Sequence, residues 1–136
     1  MHSEDRDKAR VSEVALKKIL IIDDDEMNRE VLEAFLSSES YQIFLAHNGS
    51  SGLRSALEVH PDLIILDVKM PDMSGYEVSE QLRQYPETKH TPIMIVTGFD
   101  DPEDRERGMQ AGANAFLARP FNGEELITSV ARLITG

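Results

Sequence analysis

Three short, unbroken apolar runs constrain the fold of this chain more than any other feature. They read Ile-Leu-Ile-Ile at 19–22, Leu-Ile-Ile-Leu at 63–66 and Ile-Met-Ile-Val at 93–96. A run without alternating polar residues is typical of a strand that is covered on both faces. Helical patterns follow these runs, as with Val31, Leu32, Phe35 and Leu36 after the first. The sequence therefore predicts an α/β fold in which helices cover both faces of a parallel sheet.

Two weaker strands and four more helices complete a pattern of five strand–helix units. The strands are predicted at 42–46 and 115–118, and the helices around 53–57, at 75–85, at 102–111 and after Pro120. Pro86 is expected to end the third helix, and Pro102 suits the first turn of the fourth. Asn122 is the predicted N-cap of the last helix.

The length and composition of the chain narrow its class. The 136 residues have room for one domain with a sizeable core, which we place at 18–136 after a charged leader at 1–17. The absence of cysteine excludes disulfides and thiolate metal sites and agrees with a cytoplasmic location. No apolar run approaches the roughly 20 residues that span a bilayer, so we expect no membrane association. The net charge of −11 repels nucleic-acid phosphates, so we expect no direct nucleic-acid binding.

Polar residues with chemical potential follow the strands, at the point where each strand ends. Asp23, Asp24 and Asp25 follow the first strand, Asp67 the third, Thr97 the fourth and Arg119 the fifth. In an open parallel sheet, ligands bind beyond the carboxyl ends of the strands. The topology therefore predicts that these residues share one edge of the sheet and form a site.

The residue types at this edge favour phosphoryl chemistry with a metal ion. Several carboxylates held together repel one another, and a divalent cation such as Mg²⁺, which prefers oxygen ligands, relieves that repulsion. A carboxylate beside the metal can act as a nucleophile and form an aspartyl phosphate. Thr97 and Arg119 could then bind the transferred group. Taken singly, each of these residues more often caps a helix or lies on the surface, but their convergence on one edge is hard to explain by chance.

Four segments together resemble a known family. They are Ile-Leu-Ile-Ile-Asp-Asp-Asp-Glu from Ile19, Leu-Ile-Ile-Leu-Asp-Val-Lys-Met-Pro-Asp-Met-Ser-Gly-Tyr-Glu from Leu63, Ile-Val-Thr-Gly from Ile95 and Phe-Leu-Ala-Arg-Pro-Phe from Phe116. In this order the chain resembles the receiver domain of two-component response regulators, from about Ile19 to Leu133. The resemblance implies a flavodoxin-like (βα)5 fold with strand order 2-1-3-4-5.

The resemblance also implies roles for individual residues. Asp67 matches the phosphoacceptor, Asp24 a direct Mg²⁺ ligand, Asp23 an acid that acts on the metal largely through water, and Lys69 the residue whose carbonyl binds the metal. Thr97 matches the hydroxyl that turns toward the phosphoryl group, and Phe116 matches the aromatic switch. Met70, Pro71 and Gly75 match a shaped loop, and the peptide bond before Pro120 is expected to be cis.

The partners implied by the resemblance are those of a signalling domain rather than an enzyme with its own substrate. A histidine kinase or a phosphotransfer protein would supply the phosphoryl group. The face formed by the fourth helix, fifth strand and last helix would then bind a downstream effector, an output domain outside this chain, or a second copy in a homodimer.

One departure from the family pattern leaves alternatives open. Arg119 stands where the family has a phosphoryl-binding lysine, and because arginine keeps the charge but differs in shape, we expect phosphorylation with altered coupling. The competing hypothesis is a degenerate receiver that signals by binding alone. A phosphatase of the haloacid-dehalogenase type would use Asp23 and Asp25 as its Asp-x-Asp motif, but this chain lacks the later acidic pair that such an enzyme needs. A nucleotide-binding module is disfavoured because acids, not a glycine-rich loop, follow the first strand.

Overall fold

The structure is a computed structural model that describes residues 16–98 and 101–135. Five parallel strands form one sheet in the order β2-β1-β3-β4-β5, which confirms the predicted topology. The strands are β1 (Lys17–Ile22), β2 (Tyr41–Ala46), β3 (Leu63–Leu66), β4 (Ile93–Thr97) and β5 (Ala115–Ala118). The predicted leader lies outside the described residues except for its last two positions, and Lys17 already belongs to β1.

The helices between the strands are α1 (Glu26–Ser37), α2 (Gly49–Val59), α3 (Gly75–Leu82), α4 (Pro102–Gln110) and α5 (Gly123–Thr135). None of the helices in the described part of the chain is long and apolar enough to cross a membrane. The predicted N-cap of α5 is confirmed, since Asn122 Oδ1 accepts a hydrogen bond from the Glu125 backbone N–H at 2.7 Å. The predicted proline in the first turn of α4 is confirmed as well.

Two apolar layers explain why the central strands carry unbroken apolar runs. In β1, Leu20 and Ile22 pack into one layer with side chains of α2 and α3. Ile19 and Ile21 pack into the other layer, with side chains of α1 and α5. Both faces of the strand are therefore buried, as expected for a parallel sheet covered on each side.

The third helix is shorter than the sequence predicts. It ends at Leu82 rather than at Tyr85, although Pro86 would have allowed the longer helix. The Thr88 hydroxyl donates to the Leu82 carbonyl at 2.6 Å, and Arg83 donates to the Gly112 carbonyl at 2.7 Å. One local and one tertiary hydrogen bond therefore hold the chain in turns after α3, and the helix ends before the proline is reached.

Candidate functional site

Three carboxylates meet at the carboxyl edge of the sheet, as the sequence predicts. Asp23 and Asp24 follow β1 and Asp67 follows β3, and one oxygen from each lies within 4.8 Å of the others. The two strands are neighbours, and the Asp67 backbone N–H donates to the Ile22 carbonyl at 3.0 Å, which extends their pairing to the site. Asp23 and Asp67 are buried, whereas Asp24 is exposed. The cluster is therefore open to solvent on the side of Asp24.

Arg119 spans two of these acids. Its Nη2 lies 2.9 Å from Asp23 Oδ2, and its Nη1 lies 3.5 Å from Asp67 Oδ1. The Arg119 backbone N–H donates to the Thr97 carbonyl at 2.8 Å, and the peptide bond to Pro120 is cis, as the resemblance predicts. The placement of Arg119 at the site is thus confirmed, and its guanidinium contacts both buried carboxylates at once.

Burial dominates the electrostatics of the two inner carboxyl groups. Burial first, and the charge of Asp23 second, raise the pKa of Asp67 from 3.8 to about 6, although Arg119 opposes the rise. Burial also raises the pKa of Asp23, against the lowering effects of the Asp25 backbone N–H and of Arg119. Arg119 therefore offsets only part of the cost of holding these negative charges together.

The donor set fits a hard divalent cation. All the clustered side-chain ligands are carboxylate oxygens, which Mg²⁺ prefers over nitrogen or sulfur ligands. The exposed position of Asp24 leaves room for the water molecules that Mg²⁺ retains. Lys69 lies two residues after Asp67 in an exposed loop, and the role of its carbonyl as a metal ligand stays a prediction.

Asp25 has a structural role that sets it apart from the acid cluster. Its carboxylate accepts a hydrogen bond from the Asn28 backbone N–H at 3.2 Å and caps the start of α1. The phosphatase alternative assigns Asp25 a place beside Asp23 in an Asp-x-Asp motif. Helix capping accounts for this residue without that motif.

Thr97 and Phe116 lie where the sequence places them, on neighbouring strands. Thr97 is the buried last residue of β4, which pairs with β3, the strand that Asp67 follows. Phe116 lies in β5, and the Arg105 guanidinium of α4 lies 5.0 Å from the centre of its ring. The ring also approaches Gly108, where an added Cβ would lie 3.4 Å away. Their action as a linked switch stays a prediction.

Gly75 explains the tight loop that follows Asp67. Its backbone N–H donates to the Val68 carbonyl at 2.8 Å, which brings the start of α3 back onto the loop. A Cβ at this position would collide with the Asp67 carbonyl oxygen. Only glycine fits this close approach of two backbones.

Sequence reasoning missed two residues that hold the surroundings of the site. Arg29 Nη1 donates to the Asp23 carbonyl at 2.6 Å, and the Asp72 carboxylate accepts from the backbone N–H groups of Gly49 and Ser50. Arg29 lies in a helical stretch, and no motif in the sequence distinguishes it from the other charged residues there. Asp72 lies in the recognised loop, but no local pattern indicates that it binds residues more than 20 positions away.

Comparisons with known proteins agree with this geometry. The model of one family, described as the response regulator receiver domain, matches residues 19–131. The chain is 39% identical over 116 residues to the response regulator PleD of Caulobacter vibrioides, covering 85% of this chain and 26% of PleD. It is 32% identical over 114 residues to the polar-differentiation response regulator DivK of Brucella ovis, covering 84% of this chain and 93% of DivK.

A solved structure shows the same likeness in three dimensions. The receiver domain of the sensor histidine kinase PA1611 from Pseudomonas aeruginosa superposes with a TM-score of 0.84 at 34% identity, covering 90% of this chain and all of that one (100%). That structure has a magnesium ion coordinated in its active-site cleft. The chain thus spans about a quarter of the length of PleD, nearly the whole of DivK and the whole of the PA1611 receiver domain.

Proposed function

The chain belongs to the response regulator receiver domain family, and from this membership we propose that Asp67 accepts a phosphoryl group in the presence of Mg²⁺. The observation that carries the proposal is the meeting of Asp23, Asp24 and Asp67 within 4.8 Å, with Arg119 against two of them. Asp23, Asp24, Asp67 and the Lys69 carbonyl would hold the ion. When bound, the ion would balance the charge of the carboxylates and of the incoming phosphoryl oxygens.

The reaction would proceed by attack of an Asp67 carboxylate oxygen on the phosphorus of a phosphohistidine. A P–O bond forms, the P–N bond breaks, and the imidazole leaves with its electron pair and takes up a proton. Because the pKa of Asp67 is about 6, the carboxylate is mostly ionised at neutral pH and available as the nucleophile. Arg119 is close enough to Asp67, at 3.5 Å, to stabilise charge on the transferred group.

The donor would be a histidine kinase or a phosphotransfer protein, and a groove beside the site suits a protein partner. A cavity of about 360 Å³ is lined by Asn28, Val31, Leu32, Phe35, Arg119, Pro120 and Phe121. Its apolar wall borders Arg119, so a helix that packs there would bring a phosphohistidine near Asp67.

Val31→Glu should therefore slow transfer from a phosphorylated protein donor while labelling by a small phosphodonor is retained. Equal slowing with both donors would contradict this assignment.

The output would be a change in binding at the surface formed by α4, β5 and α5. Thr97 and Phe116 would link the phosphoryl group to this surface, since β4 and β5 are paired and Phe116 contacts α4. The recipient would be an effector protein or an output domain, and the same surface could pair two copies of the chain. The domain at 18–136 after a leader at 1–17 stays a prediction, with Lys17 of that leader already in β1. We propose that the domain acts in the cytoplasm.

A small-phosphodonor experiment tests the central proposal. Wild type and Asp67→Asn are incubated with acetyl phosphate, with Mg²⁺ or with EDTA, and intact masses are measured. Wild type should gain the mass of one phosphoryl group only when Mg²⁺ is present, and Asp67→Asn should gain none. An unmodified wild type, under conditions that label a typical receiver, would refute the proposal, as would undiminished labelling of the variant.

The degenerate receiver remains a second candidate because Arg119 already engages both inner acids. If the contacts at 2.9 Å to Asp23 and 3.5 Å to Asp67 persist, the guanidinium could exclude the metal or the phosphoryl group. Arg119→Lys distinguishes the two hypotheses under the same labelling conditions. Labelling of wild type favours the phosphorylated receiver, whereas labelling of Arg119→Lys alone favours the degenerate one.

A further inference from the structure

A carboxylate outside the acid cluster connects two loops of the site. Asp72 lies in the loop between β3 and α3, yet its oxygens accept hydrogen bonds from the first residues of α2. Gly49 N lies 2.9 Å from Oδ1, and Ser50 N lies 2.8 Å from Oδ2. Ionised carboxylates make stronger hydrogen bonds than neutral acceptors do, and two parallel bonds fix an orientation as well.

The start of α2 already has a cap of its own. Asn48 is its N-cap, and Asn48 Oδ1 accepts from the Ser51 backbone N–H at 2.7 Å. Asp72 satisfies the N–H groups of the first two residues of α2, the buried Gly49 and the exposed Ser50. Asn48 leaves these two N–H groups without a partner, so the bonds to Asp72 complete the start of α2 and at the same time link two distant segments.

The position of this link relates it to the metal site. In the sheet, β1 lies between β2 and β3. The start of α2 follows β2, and the loop that contains Asp72 follows β3. The link thus joins the two loops on either side of the carboxyl end of β1, where Asp23 and Asp24 lie. The loop that it restrains begins with Asp67 and includes Lys69.

Other contacts hold the same loop at its later end. The Met73 side chain occupies the space that a Cβ on Gly49 would need, so these two residues are in close contact. Gly75 N donates to the Val68 carbonyl at 2.8 Å. With Asp72 bound to α2, the short segment that includes Lys69 is restrained on both sides.

We infer that Asp72 is a positioning residue for the metal site: by binding the start of α2, it holds the loop of Asp67 and Lys69 in the geometry that receives a divalent cation. The inference rests on the proposed function. Residues that orient metal ligands without touching the metal commonly change its affinity by about 10-fold or more when they are replaced. A looser loop should present its ligands less often in the binding geometry, so the affinity should fall.

Asp72→Asn is the variant that tests this inference, because it retains the size of the side chain and removes one acceptor. Asp62→Asn is the matched control. The Asp62 carboxylate also accepts a backbone N–H, from Lys18 at 2.8 Å, but at the opposite end of β1. Mg²⁺ is titrated into each protein below its unfolding temperature, and binding is followed through backbone amide resonances in NMR spectra. Asp72→Asn should bind Mg²⁺ about 10-fold more weakly than wild type, and Asp62→Asn should bind it as wild type does.

The outcomes separate the inference from the function on which it rests. Equal Mg²⁺ affinity of Asp72→Asn and wild type would overturn the inference alone. Equal weakening in both variants would also overturn it, since a general loss of stability would then explain the effect. A wild type that binds no Mg²⁺ would overturn the proposed metal site and the inference together.

Discussion

Replacing Asp67 by asparagine should stabilise the metal-free protein, although it removes the proposed phosphoacceptor. Burial and the Asp23 charge raise the pKa of Asp67 from 3.8 to about 6. Between these pH values the folded state binds more protons than the unfolded state does, so stability falls as pH rises through the folded pKa. Since each pKa unit corresponds to about 1.4 kcal/mol, the loss above pH 6 amounts to about 3 kcal/mol. Asparagine is neutral at every pH and avoids this loss.

The assay is urea unfolding of wild type and Asp67→Asn in EDTA, followed by circular dichroism from about pH 4 to pH 8. Substitution of an amide for a carboxyl group can change stability at any pH. The test is therefore how the difference in the free energy of unfolding between the two proteins changes with pH. The difference in the free energy of unfolding should grow by about 2.5 kcal/mol in favour of the variant between about pH 4 and pH 7 and change little above that. This corresponds to roughly 10 °C in Tm for a domain of this size.

A difference that stays the same from pH 4 to pH 8 would refute the reasoning, because the Asp67 carboxyl group would then titrate alike in the folded and unfolded states. Mg²⁺ provides an internal control for the cause. If the cost arises from uncompensated negative charge, the ion should stabilise wild type more than the variant and narrow the difference at neutral pH.

Two further substitutions test the contacts that shape the fold around the site. Arg83→Ala should lower the free energy of unfolding by about 3 kcal/mol, because the Arg83 guanidinium donates to carbonyl groups of two separate loops. Urea unfolding checks this, with Arg54→Ala, which removes an exposed arginine of α2, as the control. A similar loss of stability in both variants would contradict the prediction. Gly75→Ala should cost about 3 kcal/mol because its Cβ collides with backbone. Gly98→Ala, which has open space around the added Cβ, is the control in thermal unfolding, and equal Tm values for these two variants would argue against the collision.

The sequence predicted which residues lie at the carboxyl edge of the sheet more reliably than it predicted the contacts between their side chains. Unbroken apolar runs indicate buried parallel strands, and parallel strands bring their carboxyl ends to one edge. The sequence pattern therefore places Asp23, Asp67 and Arg119 together, and the structure confirms that they meet. It could not be predicted that Arg119 would contact Asp23 more closely than Asp67, because that depends on side-chain conformation in the folded protein.

The sequence alone thus determined the alternation of strands and helices, because local periodicity depends on neighbouring residues. From that alternation followed the edge of the sheet at which the candidate site lies and the acids that meet there. Tertiary structure decided where α3 ends, how strongly burial acts on Asp67, and which helix Asp72 binds. Arg83 and Asp72 make these contacts with loops that are distant in sequence. Such loops become neighbours only after the sheet has assembled, so no local pattern specifies their hydrogen bonds.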